Sequence, residues 1–130
     1  LESLIKELKL KKVFLSVQVD DMPSVYRRAS FFVMSSYYEG LPMVLIESQS
    51  FGLPIVSFDC PFGPSEIITN NHDGFLVENG NIELLADKIK YFIKNKNIIE
   101  KFSINSLESA KRFTEEKIIT QWKELIENAK

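Results

Sequence analysis

Residues 35–58 read "SSYYEGLPMVLIESQSFGLPIVSF", and the fold is decided here. Pro42 fits the first turn of a helix over residues 42–51, and Gly52 fits just past its end. "PIVSF" (54–58) follows as an apolar, β-branched run of strand length. "FFVM" (31–34), just upstream, is a second such run. Strand, helix and strand in direct succession make a crossover unit of a parallel sheet.

Working outward, the same alternation continues. "KKVFLSV" (11–17) reads as a strand covered on both faces, because its apolar run is continuous. "MPSVYRRA" (22–29) reads as a short helix with Pro23 in its first turn. "GPSEIIT" (63–69) begins another helix with Pro64 in its first turn. "NNHDG" (70–74) is turn chemistry with Asp73-Gly74 at its tip, and "FLV" (75–77) is a fourth strand. The C-terminal third is helical. Ile82, Leu85, Ala86, Ile89, Phe92 and Ile93 form one apolar face capped by Asn81. Residues 98–112 form a further helix, and Ile118, Ile119, Trp122, Leu125, Ile126 and Ala129 form the core-facing stripe of a last one capped by Thr114. At the other end, Leu1, Leu4, Ile5 and Leu8 keep helical spacing, yet no capping residue precedes Leu1. The chain is therefore expected to start inside an element of a longer protein. Four strand–helix alternations predict an α/β fold: one domain over residues 1–130, with a Rossmann-like parallel sheet and helices on both faces.

Composition narrows the function. The 130 residues are 45% hydrophobic and 26% charged, ordinary for a globular domain. A net charge of −2 gives no pull toward nucleic acid or an anionic membrane surface. Cys60 is the only cysteine, which excludes an intramolecular disulfide and suits a reducing compartment. No apolar stretch approaches the ~18 residues of a membrane span.

In parallel sheets of this kind ligands bind beyond the carboxyl ends of the strands. Those ends are loops 17–21, 35–41, 59–63 and 78–80, which carry Asp20, Asp21, Glu39 and Asp59. Glu39 lies just before the helix of the opening stretch. Glu47 lies within it, beside Val44, Leu45, Ile46 and Phe51. A lone carboxylate in apolar surroundings is costly, so Glu47 should be partnered or at a wet edge. Helical side chains tilt toward the N-terminus, so Glu47 leans toward the ligand edge, where Glu39 sits. The first amides of that helix lack intrahelical acceptors and carry the positive end of its dipole. Leu41, Met43 and Val44 supply them, and Gly40 admits a ligand close to the backbone. An anion held there, with two carboxylates accepting from hydroxyls, describes a phosphorylated sugar or a nucleotide sugar.

"EGLPMVLIE" (39–47) resembles the E-x7-E motif of family 4 glycosyltransferases, retaining enzymes of the GT-B fold. "VYRRASFFVMSS", "ESQSFGLPIVSFD", "GPSEII" and "DGFLV" resemble the surrounding helices and strands of that family, and the similarity runs over about residues 1–95. The resemblance implies that the chain is the C-terminal, nucleotide-sugar-binding half of a GT-B enzyme, lacking its first strand–helix segment. It implies transfer of a sugar from a nucleotide diphosphate sugar, UDP foremost, to a glycan or lipid-linked acceptor. The anomeric configuration would be retained, no cofactor used and no metal required. The setting implied is polysaccharide biosynthesis in the cytoplasm, peripheral at the inner membrane face in the full-length protein. Glu39 would act on the donor sugar, with Gly40, Leu41, Met43 and Val44 at sugar and phosphate. Glu47 would take the ribose, and Val17 and Gln18 would border the base. The Phe62–Gly63 loop would approach the sugar.

The family also carries, earlier in this domain, an Arg and a Lys for the leaving diphosphate; the chain begins after that point, and Lys6, Lys9, Lys11 and Lys12 have no claim to the role. The piece alone is expected to fold, to self-associate and to be inactive. Two other readings compete. Asp20, Asp21 and Asp59 imitate the acidic set of a phospho-receiver domain, but no Lys follows a late strand and Glu47 goes unexplained. A GT-B nucleotide-sugar epimerase keeps the fold, but the E-x7-E match argues against it. His72 reads as a turn residue, Glu66 as a helix-dipole partner, Trp122 as core, and Cys60 as too far from any base to be a nucleophile.

Overall fold

The structure, a computed structural model, describes residues 1–129. Its elements run α1 (Glu2–Glu7), α2 (Met22–Arg28), β1 (Phe32–Met34), α3 (Met43–Ser50), β2 (Ile55–Asp59), α4 (Pro64–Ile67), β3 (Gly74–Glu78), α5 (Ile82–Lys94), α6 (Lys96–Ala110), a 3₁₀ turn (Lys111–Phe113) and α7 (Glu115–Asn128). The strands pair in parallel in the order β1-β2-β3, with Phe32 opposite Ile55 and Val56 opposite Phe75.

Successive strand residues point to opposite faces, and each face meets its own core. Val56 and Phe58 of β2 join Phe75, Val77, Leu85, Phe92 and Phe102 under α5 and α6. Ile55 joins Met34, Leu45, Ile67 and Ile68 under α3 and α4. The first core is aromatic: the Phe75, Phe92 and Phe102 rings lie 4.9–5.7 Å apart, in tilted and edge-on pairs that suit their quadrupoles.

The architecture matches the α/β expectation, with corrections. Residues 11–17 form no strand, so the sheet has three strands rather than four. Phe14 is 88% exposed in that segment. A fully covered strand needs a ladder on its edges and helices on its faces, and the sheet ends at the three-residue β1. Pro42 is the cap of α3 rather than part of its first turn, and α4 stops after four residues. The helix read over 98–112 begins at Lys96. Asn81 caps α5 through a 3.0 Å bond from the Leu84 amide, whereas Thr114 makes no side-chain cap to α7. Trp122 is not core: it is 60% exposed, and α7 buries none of its described residues. The amphipathic stripe of α7 is real, but it faces solvent here.

Asp73 is the largest departure within the turn. It is not a tip but fully buried, and Asn71 takes the left-handed conformation instead. Its Oδ1 accepts from the Thr69 amide at 2.8 Å and its Oδ2 from the Ser109 hydroxyl at 2.5 Å. Its carbonyl accepts from the Ser106 hydroxyl and from the Ile55 amide. One residue thus ties the entry of β3 to β2 and to α6. Asp73→Ala strips the acceptors from the buried Ser109 hydroxyl and the part-buried Thr69 amide, and a buried donor left unsatisfied costs about 1–3 kcal/mol. Denaturant unfolding should show a loss of roughly 2–4 kcal/mol; a loss within experimental error would remove Asp73 from this role.

Candidate functional site

Three loops leave the carboxyl ends of β1, β2 and β3 and meet at one edge. Tyr37, after β1, packs on Phe58 of β2 with ring centroids 5.6 Å apart. Asn79, after β3, donates to the Tyr37 carbonyl at 3.0 Å. Gly63, after β2, is pressed against the start of α3. A Cβ there would lie 2.3 Å from Pro42 Cδ and 2.5 Å from the Gly40 oxygen, and its φ of 93° also excludes other residues at low cost. The edge is one continuous surface.

Cys60 lies beneath it, 2% exposed. Burial pushes its thiol up, and the charges of Glu39 and Asp59 push it further, with neighbouring backbone groups partly opposing. A thiol held protonated without a base is a space-filling group, as the sequence suggested.

Around α3, Leu45, Ser48 and Gln49 are buried and Val44 and Ile46 half-buried, while Met43, Glu47 and Ser50 face solvent. This corrects the apolar setting expected for Glu47 and answers why a carboxylate sits in that run. It occupies the one wet strip of a helix otherwise turned inward. Its Oε2 accepts from the Tyr26 hydroxyl at 3.1 Å. The Tyr26 phenol is pushed up by burial first, then by the hydrogen bond and charge of Glu47. Glu39 is half-buried in the loop before α3.

At the start of α3 the Leu45 amide bonds the Pro42 carbonyl at 2.9 Å. The amides of Gly40, Leu41, Met43 and Val44 have no acceptor among the described residues. Gly40 is informative through what it lacks. Its backbone is not left-handed, and a Cβ built on it would meet nothing within 4 Å. Neither conformation nor internal packing requires glycine there, and the backbone lies open to approach from outside.

Glu39, Gly40, Leu41, Met43, Val44 and Glu47 are thus brought together on one loop and one helix. Val17 and Gln18 are not: both are exposed in the segment that forms no strand. Asp21 caps α2 by accepting from the Ser24 amide at 3.1 Å, which gives it an ordinary structural role and weakens the receiver reading. His72 lies before β3, at the opposite end of the strands, where its carbonyl accepts from Asn105. Glu66 is exposed in the first turn of α4.

Two features escaped the sequence. Tyr26 contacts Glu47 across 21 positions, and only its place as the one aromatic of a short polar helix hinted at a partner. Phe62 holds a φ of 64° while 68% exposed; a bulky residue in that region is an outlier no composition rule announces.

Comparison with known proteins gives this geometry a setting. The family model described as "Glycosyl transferases group 1" matches residues 1–117. The amylovoran biosynthesis glycosyltransferase AmsD of Erwinia amylovora is 34% identical over 101 residues, covering 78% of this chain and 28% of that protein. A Campylobacter jejuni enzyme, GalNAc-alpha-(1->4)-GalNAc-alpha-(1->3)-diNAcBac-PP-undecaprenol alpha-1,4-N-acetyl-D-galactosaminyltransferase, is 32% identical over 130 residues, covering all of this chain and 36% of its own length. Among solved structures, a variant of S. aureus TarM in complex with fondaparinux, alpha-GlcNAc-glycerol and UDP superposes with a TM-score of 0.88 at 30% identity, covering 95% of this chain and 26% of TarM. The chain therefore spans about a third of these relatives or less.

The left-handed conformation costs a non-glycine residue about 1–2 kcal/mol, and an exposed ring recovers little of that by burial. Phe62→Gly should raise thermal stability, by up to about 1 kcal/mol after the greater entropy of glycine in the unfolded chain. A lower melting temperature would show that the ring contributes packing here.

Proposed function

The chain belongs to the glycosyl transferases group 1 family, and from that premise we propose that it binds the nucleotide diphosphate sugar donor of a retaining transfer reaction. The observation that carries this reading is Gly40 with its neighbours: a glycine the fold does not require, beside unpaired helix-start amides, between two carboxylates.

Each part has a role. The amides of Leu41, Met43 and Val44 meet diphosphate and sugar oxygens, and the positive end of α3 draws charge toward them. Glu47, on the solvent side of α3, accepts from the ribose hydroxyls. Glu39 holds a hydroxyl of the donor sugar. As the bond from the anomeric carbon to the diphosphate oxygen breaks, its electron pair leaves with the diphosphate. The carbon becomes cationic, and the negative charge of Glu39 stabilises it. The acceptor hydroxyl oxygen then bonds that carbon and passes its proton to the departing diphosphate oxygen, which has taken the electron pair of the broken bond. Val17 and Gln18 are assigned to the border of the base. The leaving-group charge is assigned to backbone amides and to cations supplied by the whole protein, with no metal in the reading. UDP is the favoured nucleotide, supported by the UDP bound in the TarM complex. The acceptor is a glycan, lipid-linked as in the undecaprenol-linked substrate of the C. jejuni relative. Among the described residues no helix is long and apolar enough to cross a membrane. We place the activity in the cytoplasm, beside the membrane where the acceptor is lipid-linked.

The two carboxylates separate experimentally. Hydrogen bonds to a charged group are worth about 1.5–3 kcal/mol, or roughly 10- to 150-fold in affinity. Glu47→Gln in the full-length protein should weaken UDP binding by up to that range in calorimetry; unchanged affinity would remove the ribose assignment. Glu39→Ala should leave UDP affinity near wild type and lower turnover by about 10²–10³-fold, the effect of deleting one charge-stabilising group. Equal loss of UDP and UDP-sugar binding would count against a sugar-specific Glu39.

A further inference from the structure

We propose that Tyr26 is a positioning residue for Glu47, fixing one carboxylate oxygen so that the other is presented to the ribose. The proposal rests on the nucleotide reading above and adds a residue to it.

Glu47 stands on the exposed strip of α3, where a flexible side chain samples many rotamers. A carboxylate that must receive a pair of hydroxyls in one geometry gains from being held beforehand. Among the described residues the carboxylate has one hydrogen-bond partner, the Tyr26 hydroxyl, and no Lys or Arg within ion-pair distance. Arg27 is next to Tyr26 but turns to the Phe51 ring, 5.5 Å from its centroid. A single directional donor therefore sets the rotamer, and no cation competes with an incoming hydroxyl.

The donor is itself immobile. Tyr26 is 3% exposed and is the only buried residue of α2. Its ring meets Phe32 edge-on at 6.4 Å and Phe51 at 5.3 Å. A phenol has few torsions and one strong donor. Because Tyr26 donates to Oε2, Oε1 keeps its full accepting capacity. The contact also joins α2, which follows the loop with Val17 and Gln18, to the helix that carries the ribose acceptor.

A plain structural role has different consequences. If Glu47 merely satisfies a buried hydroxyl, its removal affects stability alone, and removal of the hydroxyl frees Glu47 without loss of binding. The experiment is a double-mutant cycle on UDP affinity in the full-length protein, with Tyr26→Phe, Glu47→Gln and the pair. Tyr26→Phe keeps the ring packing and should weaken UDP by about 3- to 10-fold. In the Glu47→Gln background the same change should have almost no further effect. Wild-type UDP affinity in Glu47→Gln overturns the nucleotide reading and this inference with it. A weakened Glu47→Gln beside an unaffected Tyr26→Phe, or two effects that simply multiply, overturns the positioning role alone. A second measurement needs no nucleotide. Glu47→Gln removes the charge and leaves only a neutral, weaker acceptor in place of the carboxylate that, after burial, holds the phenol up, so ultraviolet difference titration should show Tyr26 ionising at lower pH. An unmoved Tyr26 would show the pair not to be coupled, and this readout stands even if Tyr26→Phe does not fold.

Discussion

The constraint on which the structure depends is the double burial of β2. The strand has a neighbour on each edge and a core on each face, so Ile55 and Val56, adjacent in the chain, belong to different hydrophobic clusters. A parallel strand in that position forces helices onto both faces and sends the chain back by crossover each time. The carboxyl ends of β1, β2 and β3 then open onto one edge, with the loops that follow them pressed together through Tyr37, Asn79 and Gly63. The candidate site follows from the sheet: its residues come from the loop and helix that the first crossover requires.

What could be read in advance follows from which forces are local. β1, β2 and β3, the Asn81 cap and the amphipathic α5 are written in short patterns of apolar spacing and capping, and all three strands and both features are present. Residues 11–17 carry equally strong strand chemistry, yet extended backbone becomes a strand only beside another strand. The stripe of α7 failed in the same way: its period was right, but an apolar face buries itself only where something receives it. Asp73 failed for the opposite reason. Asp-Gly is turn chemistry locally, and its capture by Ser109 spans 36 positions, which no window of sequence contains. The candidate site was legible because Glu39, Gly40, Leu41, Met43, Val44 and Glu47 are contiguous. Val17, Gln18 and Tyr26 lie outside that run; the structure leaves the first two exposed and brings in the third.

Glu47 shows how an apparent conflict of patterns resolves. Among valine, leucine and isoleucine it suggests a buried charge, which would demand a close counter-ion. The helix instead gives it the solvent side, where the carboxylate needs no buried counter-ion and has the Tyr26 hydroxyl as its partner. Cys60 is the complement: a reactive group type placed where burial and nearby carboxylates suppress its reactivity.

The division of labour around α3 explains why such a site can be both open and rigid. The helix is only eight residues long, too short to be stable alone, so its order comes from packing. Leu45 anchors one side in the core with Met34, Ile55, Ile67 and Ile68. Gln49 anchors it further, fully buried, with its Nε2 donating to the Ile67 carbonyl at 3.5 Å and its Oε1 without a partner among the described residues. The long bond and the unpaired oxygen make Gln49 the weakest point of that anchor, because a buried acceptor left unsatisfied opposes folding. The compensation lies in the neighbours: Gly63 closes on Pro42 at the start of the helix, and Tyr26 holds Glu47 in its second turn. A helix fixed at both places can leave its first amides and one carboxylate oxygen unpaired, because the core already supplies the free energy that those groups would otherwise have to provide.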